Sequence, residues 1–203
     1  MVKSTVPVLK VHDLGYQVGG FTIVDGLSFE LEPGELVSVI GPNGAGKTTL
    51  LNLISGILRP TAGSIELLGR KVTGDRPFQR AQAGLGRTFQ TSSVFNALSV
   101  LENVRLGVQA HHGGSLLPWR RVAADTSTVE RSIEALSHVG LADVAPLQAG
   151  RLPHGTKRRL ELAILLGGRF DVLLLDEPTS GLSVEHVAGM VDVIRSLHRE
   201  QGK

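Results

Sequence analysis

The feature that most constrains this chain is a glycine-rich loop at residues 41–49, with the sequence GPNGAGKTT. Its two outer glycines frame four residues and are followed by Lys-Thr, the G-x-x-x-x-G-K-[ST] spacing of a phosphate-binding P-loop. Glycine lets the backbone curl until successive N–H groups point into one concavity, where they meet phosphate oxygens. We predict that nine residues contact a nucleotide: Gly41, Pro42, Asn43, Gly44, Ala45, Gly46, Lys47, Thr48 and Thr49.

The residues on either side of the loop predict a strand before it and a helix after it. Residues 36–40 are the apolar run LVSVI, which is typical of a buried strand in a parallel sheet. After the loop, Leu50, Leu51, Ile54 and Leu58 recur at helical spacing. A helix that begins here directs the positive end of its dipole at the phosphates. These flanks favour a P-loop over a glycine-rich turn that merely contains a lysine.

A second candidate site follows another apolar run, at residues 172–175. Asp176 and Glu177 come directly after it, and ligands of open α/β sheets bind at the carboxyl ends of the strands. We expect Asp176 and the hydroxyl of Thr48 to hold Mg²⁺, and Glu177 to polarise the water that attacks the terminal phosphate. The alternative is a solvated acidic turn, which the presence of the P-loop makes the weaker interpretation.

Composition excludes several classes of protein. The 203 residues carry a net charge of only +2, which argues against non-specific binding to nucleic acid. Cysteine is absent, so neither disulfides nor thiolate chemistry is available. No run of the sequence approaches the length of a membrane span, and we expect any membrane association to be peripheral, through a partner.

The remaining patterns predict an α/β fold, namely a P-loop NTPase core with a mostly parallel sheet. Strands at residues 8–14 and 21–31, joined by a Gly-Gly turn, predict an N-terminal antiparallel β subdomain. Residues 91–150 are expected to form a helical subdomain inserted in this core, within a single domain covering residues 1–203. Capping boxes in the insert pair Ser99 with Glu102 and Ser127 with Glu130.

The single tyrosine and an adjacent pair of histidines each allow more than one interpretation. Tyr16, the one tyrosine of the chain, either stacks on a nucleotide base or packs in the core, and its position favours neither. His111 and His112 are adjacent, but no third ligand lies at metal-binding spacing, so a solvated loop is the better interpretation.

Together, these motifs resemble the nucleotide-binding subunit of an ATP-binding cassette (ABC) transporter over nearly the whole chain. Residues 41–49 match its Walker A loop and residues 172–177 its Walker B motif. Tyr16 matches the adenine-stacking aromatic, and Gln90 matches the glutamine that contacts Mg²⁺ and the attacking water. The position of the signature motif is occupied by Leu152, Pro153, His154, Gly155 and Thr156. Residues 86–90, 158–161 and 180–182 are similar to the branched-chain amino acid and amide importers.

The resemblance implies an ATPase that binds ATP and Mg²⁺ and powers import, with Glu177 and Gln90 as catalytic residues. It implies head-to-tail pairing with a second ATP-binding subunit, so that each signature motif faces the partner's ATP. It also implies attachment to membrane permease subunits at the cytoplasmic face of the membrane, an indirect link to a solute-binding protein, and no nucleic-acid partner. We expect the permease to dock on an apolar cluster: Val94, Phe95, Leu98 and Val100.

Three departures from the family pattern sustain other hypotheses. Pro153 replaces the signature serine and has neither its hydroxyl nor its N–H, while Thr156 replaces the glutamine. The chain also ends before the expected return strand and switch histidine, so we expect its C-terminal part to be missing. A non-hydrolysing, ATP-gated interaction module is therefore one alternative. A soluble ABC-type ATPase is another, although the single cassette and short helical insert argue against it.

Overall fold

The structure is a computed structural model that describes residues 6–88, 93–111, 126–168, 170–180 and 184–201. Side chains are not described at residues 111, 184–186 and 196–201. The chain divides into two compact units. The first contains residues up to 86, residues 171–174 and the chain from 196 onward, and the second contains residues 87–170 and 175–195.

The first unit is built mainly from β-strands. Its elements are β1 (Leu9–Val18), β2 (Phe21–Leu31), α1 (Lys47–Ser55), β3 (Ala62–Leu67), β4 (Arg70–Lys71), α2 (Pro77–Gln82), β5 (Leu85–Arg87, whose last residue falls in the second unit) and β6 (Val172–Leu174). An antiparallel sheet has the order β2-β1-β3-β4, and β5 pairs with β6 in a separate parallel pair. The predicted hairpin is confirmed, because β1 and β2 pair antiparallel around a turn at Gly19 and Gly20. The α/β fold is confirmed as well.

The core of the first unit lies between its strands and the helix that follows the loop. Leu14 and Ile65 contribute from the antiparallel sheet, and Leu53 contributes from α1; each is less than 1% exposed. Val172 and Leu174 of β6 belong to the same buried cluster. The helical spacing after the loop therefore indicates the buried face of α1, although Leu58 lies beyond its end and is only partly buried.

The segment before the loop differs from its prediction. Residues 36–40 form no strand, and Leu36, Val37, Val39 and Ile40 are exposed, the last at 92%. A strand is maintained by hydrogen bonds to neighbouring strands, and its apolar side chains are buried only where other elements cover them. In the part of the chain that the structure describes, no strand pairs with residues 36–40. The prediction of a buried parallel strand at this position is thus wrong for this structure.

The second unit is helical. Its helices are α3 (Val100–His111), α4 (Thr126–His138), α5 (His154–Gly167) and the larger part of α6 (Val184–Gln201). The first three pack against one another. Half of the capping box predicted at α3 is confirmed, by the 3.1 Å bond from the Glu102 N–H to Ser99 Oγ, while the Glu102 carboxylate pairs with Arg105. The corresponding prediction at Ser127 is wrong, because α4 already begins at Thr126 and the serine lies inside its first turn.

Candidate nucleotide-binding site

The glycine-rich loop closes around the start of α1. Gly44 and Gly46 both have φ +82°, in the left-handed region that favours glycine, and Gly46 is the N-cap of the helix. The helix ladder starts at once, with the Leu50 N–H donating to Gly46 O at 2.8 Å. The first N–H groups of a helix have no partners within the helix, so the start of α1 presents free donors and a positive dipole end. No acidic residue of the first turn opposes an anion there.

Lys47 is folded back over its own loop. Its Nζ donates to the carbonyl oxygens of Gly41 at 2.7 Å and Pro42 at 2.8 Å. These bonds place the ammonium group at the mouth of the loop, where its charge adds to that of the helix N-terminus. Thr48 is exposed beside it in the first turn. The loop thus has the donors and the positive charge that polyphosphate binding requires.

Strand β2 supports the loop from behind. A Cβ added to Gly46 would lie 3.0 Å from the carbonyl oxygen of Ile23, so any larger residue would press on the β2 backbone. The second glycine of the motif is therefore required by both its φ and its surroundings. The sequence spacing alone indicated only the first of these two reasons.

Tyr16 lies on β1, opposite Val24 of β2. Its side chain is half-buried and packs against the core of the first unit. The core-packing alternative thus has a contact in its favour, while the stacking of this ring on a nucleotide base stays a prediction.

The carboxylates after β6 occupy two different environments in the second unit. Asp176 is 4% exposed; its Oδ2 accepts a hydrogen bond from the guanidinium of Arg87 at 3.3 Å, and its N–H donates to Thr88 Oγ1 at 3.2 Å. Glu177 is exposed and has φ +46°, a left-handed conformation that costs a non-glycine residue about 1–3 kcal/mol. Strained backbone of this kind is concentrated at functional sites, which agrees with the predicted catalytic role of Glu177.

Burial lowers the pKa of the Arg87 guanidinium, and the nearby carboxylate of Asp176 opposes that shift. The ordinary pKa of arginine lies far above neutral pH, so Arg87 still carries its charge at neutral pH. The two side chains, 7% and 6% exposed, therefore form a buried ion pair. The sequence indicated Asp176 but not its arginine partner.

A second buried ion pair was also missed. Arg158 and Glu161 lie one turn apart on α5, with Arg158 Nη1 and Glu161 Oε2 3.0 Å apart and with side chains that are 4% and 8% exposed. The other Glu161 oxygen accepts the Ser93 N–H at 2.9 Å. Charged residues spaced along a helix are usually exposed to solvent. These two are buried because α5 packs against α3 and α4, which the sequence alone does not show.

The predicted signature residues form the start of α5. Pro153 is the N-cap, and its carbonyl accepts the N–H groups of Thr156 and Lys157, both at 3.0 Å. The helix begins at His154. His154 is exposed, whereas Leu152 is buried and anchors the segment.

Several predicted features lie outside the described residues. These are Gln90, the side chain of His111, the whole of His112, and residues 181–182 of the importer-like stretch. Among the described side chains, no group of three or more His, Cys, Asp or Glu is placed to hold a metal. Mg²⁺ differs from such metals in needing only one or two protein oxygens beside phosphate oxygens and water. The exposed hydroxyl of Thr48 and the carboxylate of Asp176 are oxygen donors of that kind.

The fold and the loop define this chain as a P-loop nucleotide-binding protein of the α/β class. A family model described as "ABC transporter" matches residues 24–180, and the chain belongs to that family. None of the helices in the described part of the chain is both long enough and apolar enough to cross a bilayer.

Individual relatives agree with this membership. The chain is 34% identical, over 96% of its length and 78% of the relative's, to the high-affinity branched-chain amino acid transport ATP-binding protein BraF of Pseudomonas aeruginosa. It is 35% identical, over 94% of its length and 77% of the relative's, to LivG of Escherichia coli, which has the same description.

Solved structures give the same result at the level of the fold. The structure matches cbiO1 from Clostridium perfringens, part of the ABC transporter complex cbiONQ, with a TM-score of 0.82 and 28% identity over 97% of this chain and 75% of the other. It also matches a nucleotide-free ATP-binding cassette from an ABC transporter, with a TM-score of 0.81 and 25% identity over 96% of this chain and 78% of the other.

Proposed function

We propose that this protein is the ATP-binding and ATP-hydrolysing subunit of an ABC importer for branched-chain amino acids or related polar solutes. The observation that carries this proposal is the closed P-loop, with the Lys47 ammonium held at its mouth by two loop carbonyls. Family membership and the description of the relatives at 34% and 35% identity support it over a soluble ATPase not tied to transport.

The loop binds the phosphates of ATP. The N–H groups at the start of α1 meet the phosphate oxygens, and Lys47 neutralises the charge of the terminal groups. Mg²⁺, held by Thr48 and Asp176 with Gln90, supplies further charge neutralisation when it is bound. Phosphoryl transfer needs mainly positioning and electrostatic stabilisation, so Glu177 has only to orient and polarise the attacking water.

The start of α5 supports pairing with a second ATP-binding subunit. A helix N-terminus attracts an anion, and Gly155 in the first turn of α5 has no side chain to obstruct a phosphate of the partner's ATP. Pro153 offers neither hydroxyl nor N–H, so this chain makes fewer contacts to that phosphate than a serine would allow. Each subunit thus places its signature residues over the partner's nucleotide.

Attachment to the permease uses the apolar residues before α3. Phe95 is 59% exposed and Leu98 is 37% exposed, whereas Val100 is fully buried and is removed from the predicted docking cluster. Large exposed apolar side chains close together mark interaction sites. Docking here places the protein at the cytoplasmic face of the membrane, peripherally, and links it only indirectly to a solute-binding protein.

Nucleotide binding is tested by replacing the P-loop lysine. Lys47→Ala removes a charge directed at the phosphates and should weaken MgATP binding by about tenfold or more, in line with the strength of charge-assisted bonds. Lys71→Ala, at an exposed lysine of β4, is the matched control and should leave the affinity unchanged. Equal affinity of wild type and Lys47→Ala in isothermal titration would refute the assignment.

Permease docking is tested separately. Phe95→Asp with Leu98→Asp should abolish coassembly with the membrane subunits but leave ATP binding intact, because neither residue belongs to the P-loop. Phe78→Asp is the control, since Phe78 is equally exposed, at 57%, on α2 of the first unit. Coassembly that survives the Phe95 and Leu98 changes, measured by copurification, would exclude this surface.

A further inference from the structure

The Arg87–Asp176 ion pair has no role in the function described so far. Arg87 is the last residue of β5, and Asp176 follows β6 by two residues, so the paired strands bring the two side chains together. Both are almost completely buried, and the guanidinium contacts the same carboxylate that is expected to meet Mg²⁺. A divalent cation that approaches Asp176 therefore meets a carboxylate already partly neutralised.

The other charges nearby do not replace Arg87. Arg158 and Glu161 pair with each other, and they line a small cavity together with Thr88. Within the described residues, the Asp176 carboxylate has one ion-pair partner, Arg87. Thr88 bonds the Asp176 backbone rather than its carboxylate, so it orients the residue without changing its charge.

We propose that Arg87 is the counter-ion of Asp176 and that it sets the Mg²⁺ concentration at which the protein binds MgATP; this inference rests on the proposed function. The positive guanidinium repels a divalent cation. It also occupies Oδ2 of Asp176 with a hydrogen bond, so the cation competes with Arg87 for that oxygen. Removing the guanidinium leaves the full carboxylate charge for Mg²⁺ in a buried site, where Coulomb interactions are screened less than in water. Arg87 is thus a positioning residue that limits the affinity of Asp176 for the cation.

The test is a Mg²⁺ titration of fluorescent-ATP binding to the 203-residue chain at a fixed nucleotide concentration. Arg87→Gln should lower the half-saturating Mg²⁺ concentration by about fivefold or more, because the like-charge repulsion near the site is removed. Arg87→Lys keeps the charge and should stay within about twofold of wild type. This equilibrium measurement does not depend on turnover.

Arg105→Gln is the matched control. Arg105 is also a buried arginine of the second unit in an ion pair, with Glu102 on α3, so its loss reproduces a general destabilisation without touching Asp176. Its Mg²⁺ midpoint should equal that of wild type. Binding measured with EDTA shows that each variant is folded around an intact P-loop.

The outcomes separate the two levels of inference. Wild type that binds no ATP, with or without Mg²⁺, would overturn the proposed function itself. Wild type that binds in a Mg²⁺-dependent manner, while Arg87→Gln has an unchanged or higher midpoint, would overturn only the role of Arg87. A shift in Arg87→Lys or Arg105→Gln as large as that in Arg87→Gln would also overturn it, because charge at Asp176 would not be the cause.

Discussion

Arg80 should stabilise the C-terminal end of the P-loop helix. Its side chain is 1% exposed, and Nη1 donates to the carbonyls of Leu53 at 2.7 Å and Ile54 at 2.6 Å, in the last turn of α1. Nε and Nη2 donate to the carbonyls of Asp75 at 3.2 Å and Thr73 at 3.0 Å. The last carbonyls of a helix lack the N–H donors of a following turn, so the guanidinium supplies bonds to Ile54 O and to Leu53 O, which also accepts the Gly56 N–H at 3.2 Å.

The size of the effect follows from these bonds. Hydrogen bonds to a charged group contribute about 1.5–3 kcal/mol each, so the two buried bonds to α1 alone amount to about 3–6 kcal/mol. That is a large part of the roughly 5–15 kcal/mol that stabilises a typical domain. For a chain of this size, 1 kcal/mol shifts Tm by about 2–4 °C, so Arg80→Met should lower Tm by about 6 °C or more.

Thermal unfolding followed by circular dichroism measures this loss, and hydrogen exchange of α1 amides locates it. Arg80→Lys keeps the charge but has no planar fork of donors, so it should fall between wild type and Arg80→Met. Arg59→Met, at an exposed arginine, should change the free energy of unfolding by no more than about 0.5 kcal/mol. The reasoning is refuted if Arg80→Met has the same Tm as the Arg59→Met control and the α1 amides exchange hydrogen as slowly as in wild type.

Two further predictions concern close contacts inside each unit. Gly63 and Gly20 have nearly equal φ, +81° and +83°, but a Cβ on Gly63 would lie 2.3 Å from the Asp13 carbonyl oxygen, whereas Gly20 has open space. Gly20→Ala should therefore cost about 1–2 kcal/mol of unfolding free energy through backbone strain alone. Gly63→Ala adds the clash, so its denaturation midpoint should lie clearly below that of Gly20→Ala. Equal midpoints for the two variants would contradict this explanation. In the second unit, Glu161→Leu should cost about 3–5 kcal/mol because it removes the carboxylate of the buried Arg158–Glu161 ion pair, and adding Arg158→Met should recover most of that loss. Additive losses in the double-mutant cycle would show that the two charges do not interact.

The loop and the hairpin could be predicted because their geometry is local. The contacts of Lys47 are with carbonyls only five and six residues earlier in the chain, and the left-handed positions of the loop are occupied by glycines. The conformation of a P-loop therefore depends mainly on residues within the loop itself. The family resemblance that the loop supported is confirmed by the match over residues 24–180. The β1–β2 hairpin is likewise a contact between neighbours in the chain.

Whether residues 36–40 are paired and buried could not be predicted from the local sequence. An apolar, β-branched run predicts a strand only on the condition that other strands pair with it and other layers cover it. Those partners come from elsewhere in the chain, and the structure leaves the run exposed. Ser127 shows the same limit on a smaller scale, because its sequence pattern predicts a cap whereas α4 already begins at Thr126.

The sequence by itself determined the phosphate-binding loop, the helix after it, the antiparallel hairpin and the presence of two carboxylates at the end of β6. Only the tertiary structure decided what those carboxylates and the charges of α5 contact. Arg87 and Asp176 are 89 residues apart in the chain, and Ser93 and Glu161 are 68 apart. Pairs so distant meet only because strands and helices pack around them, and once they are buried each charge depends on its partner, because removing one leaves the other uncompensated.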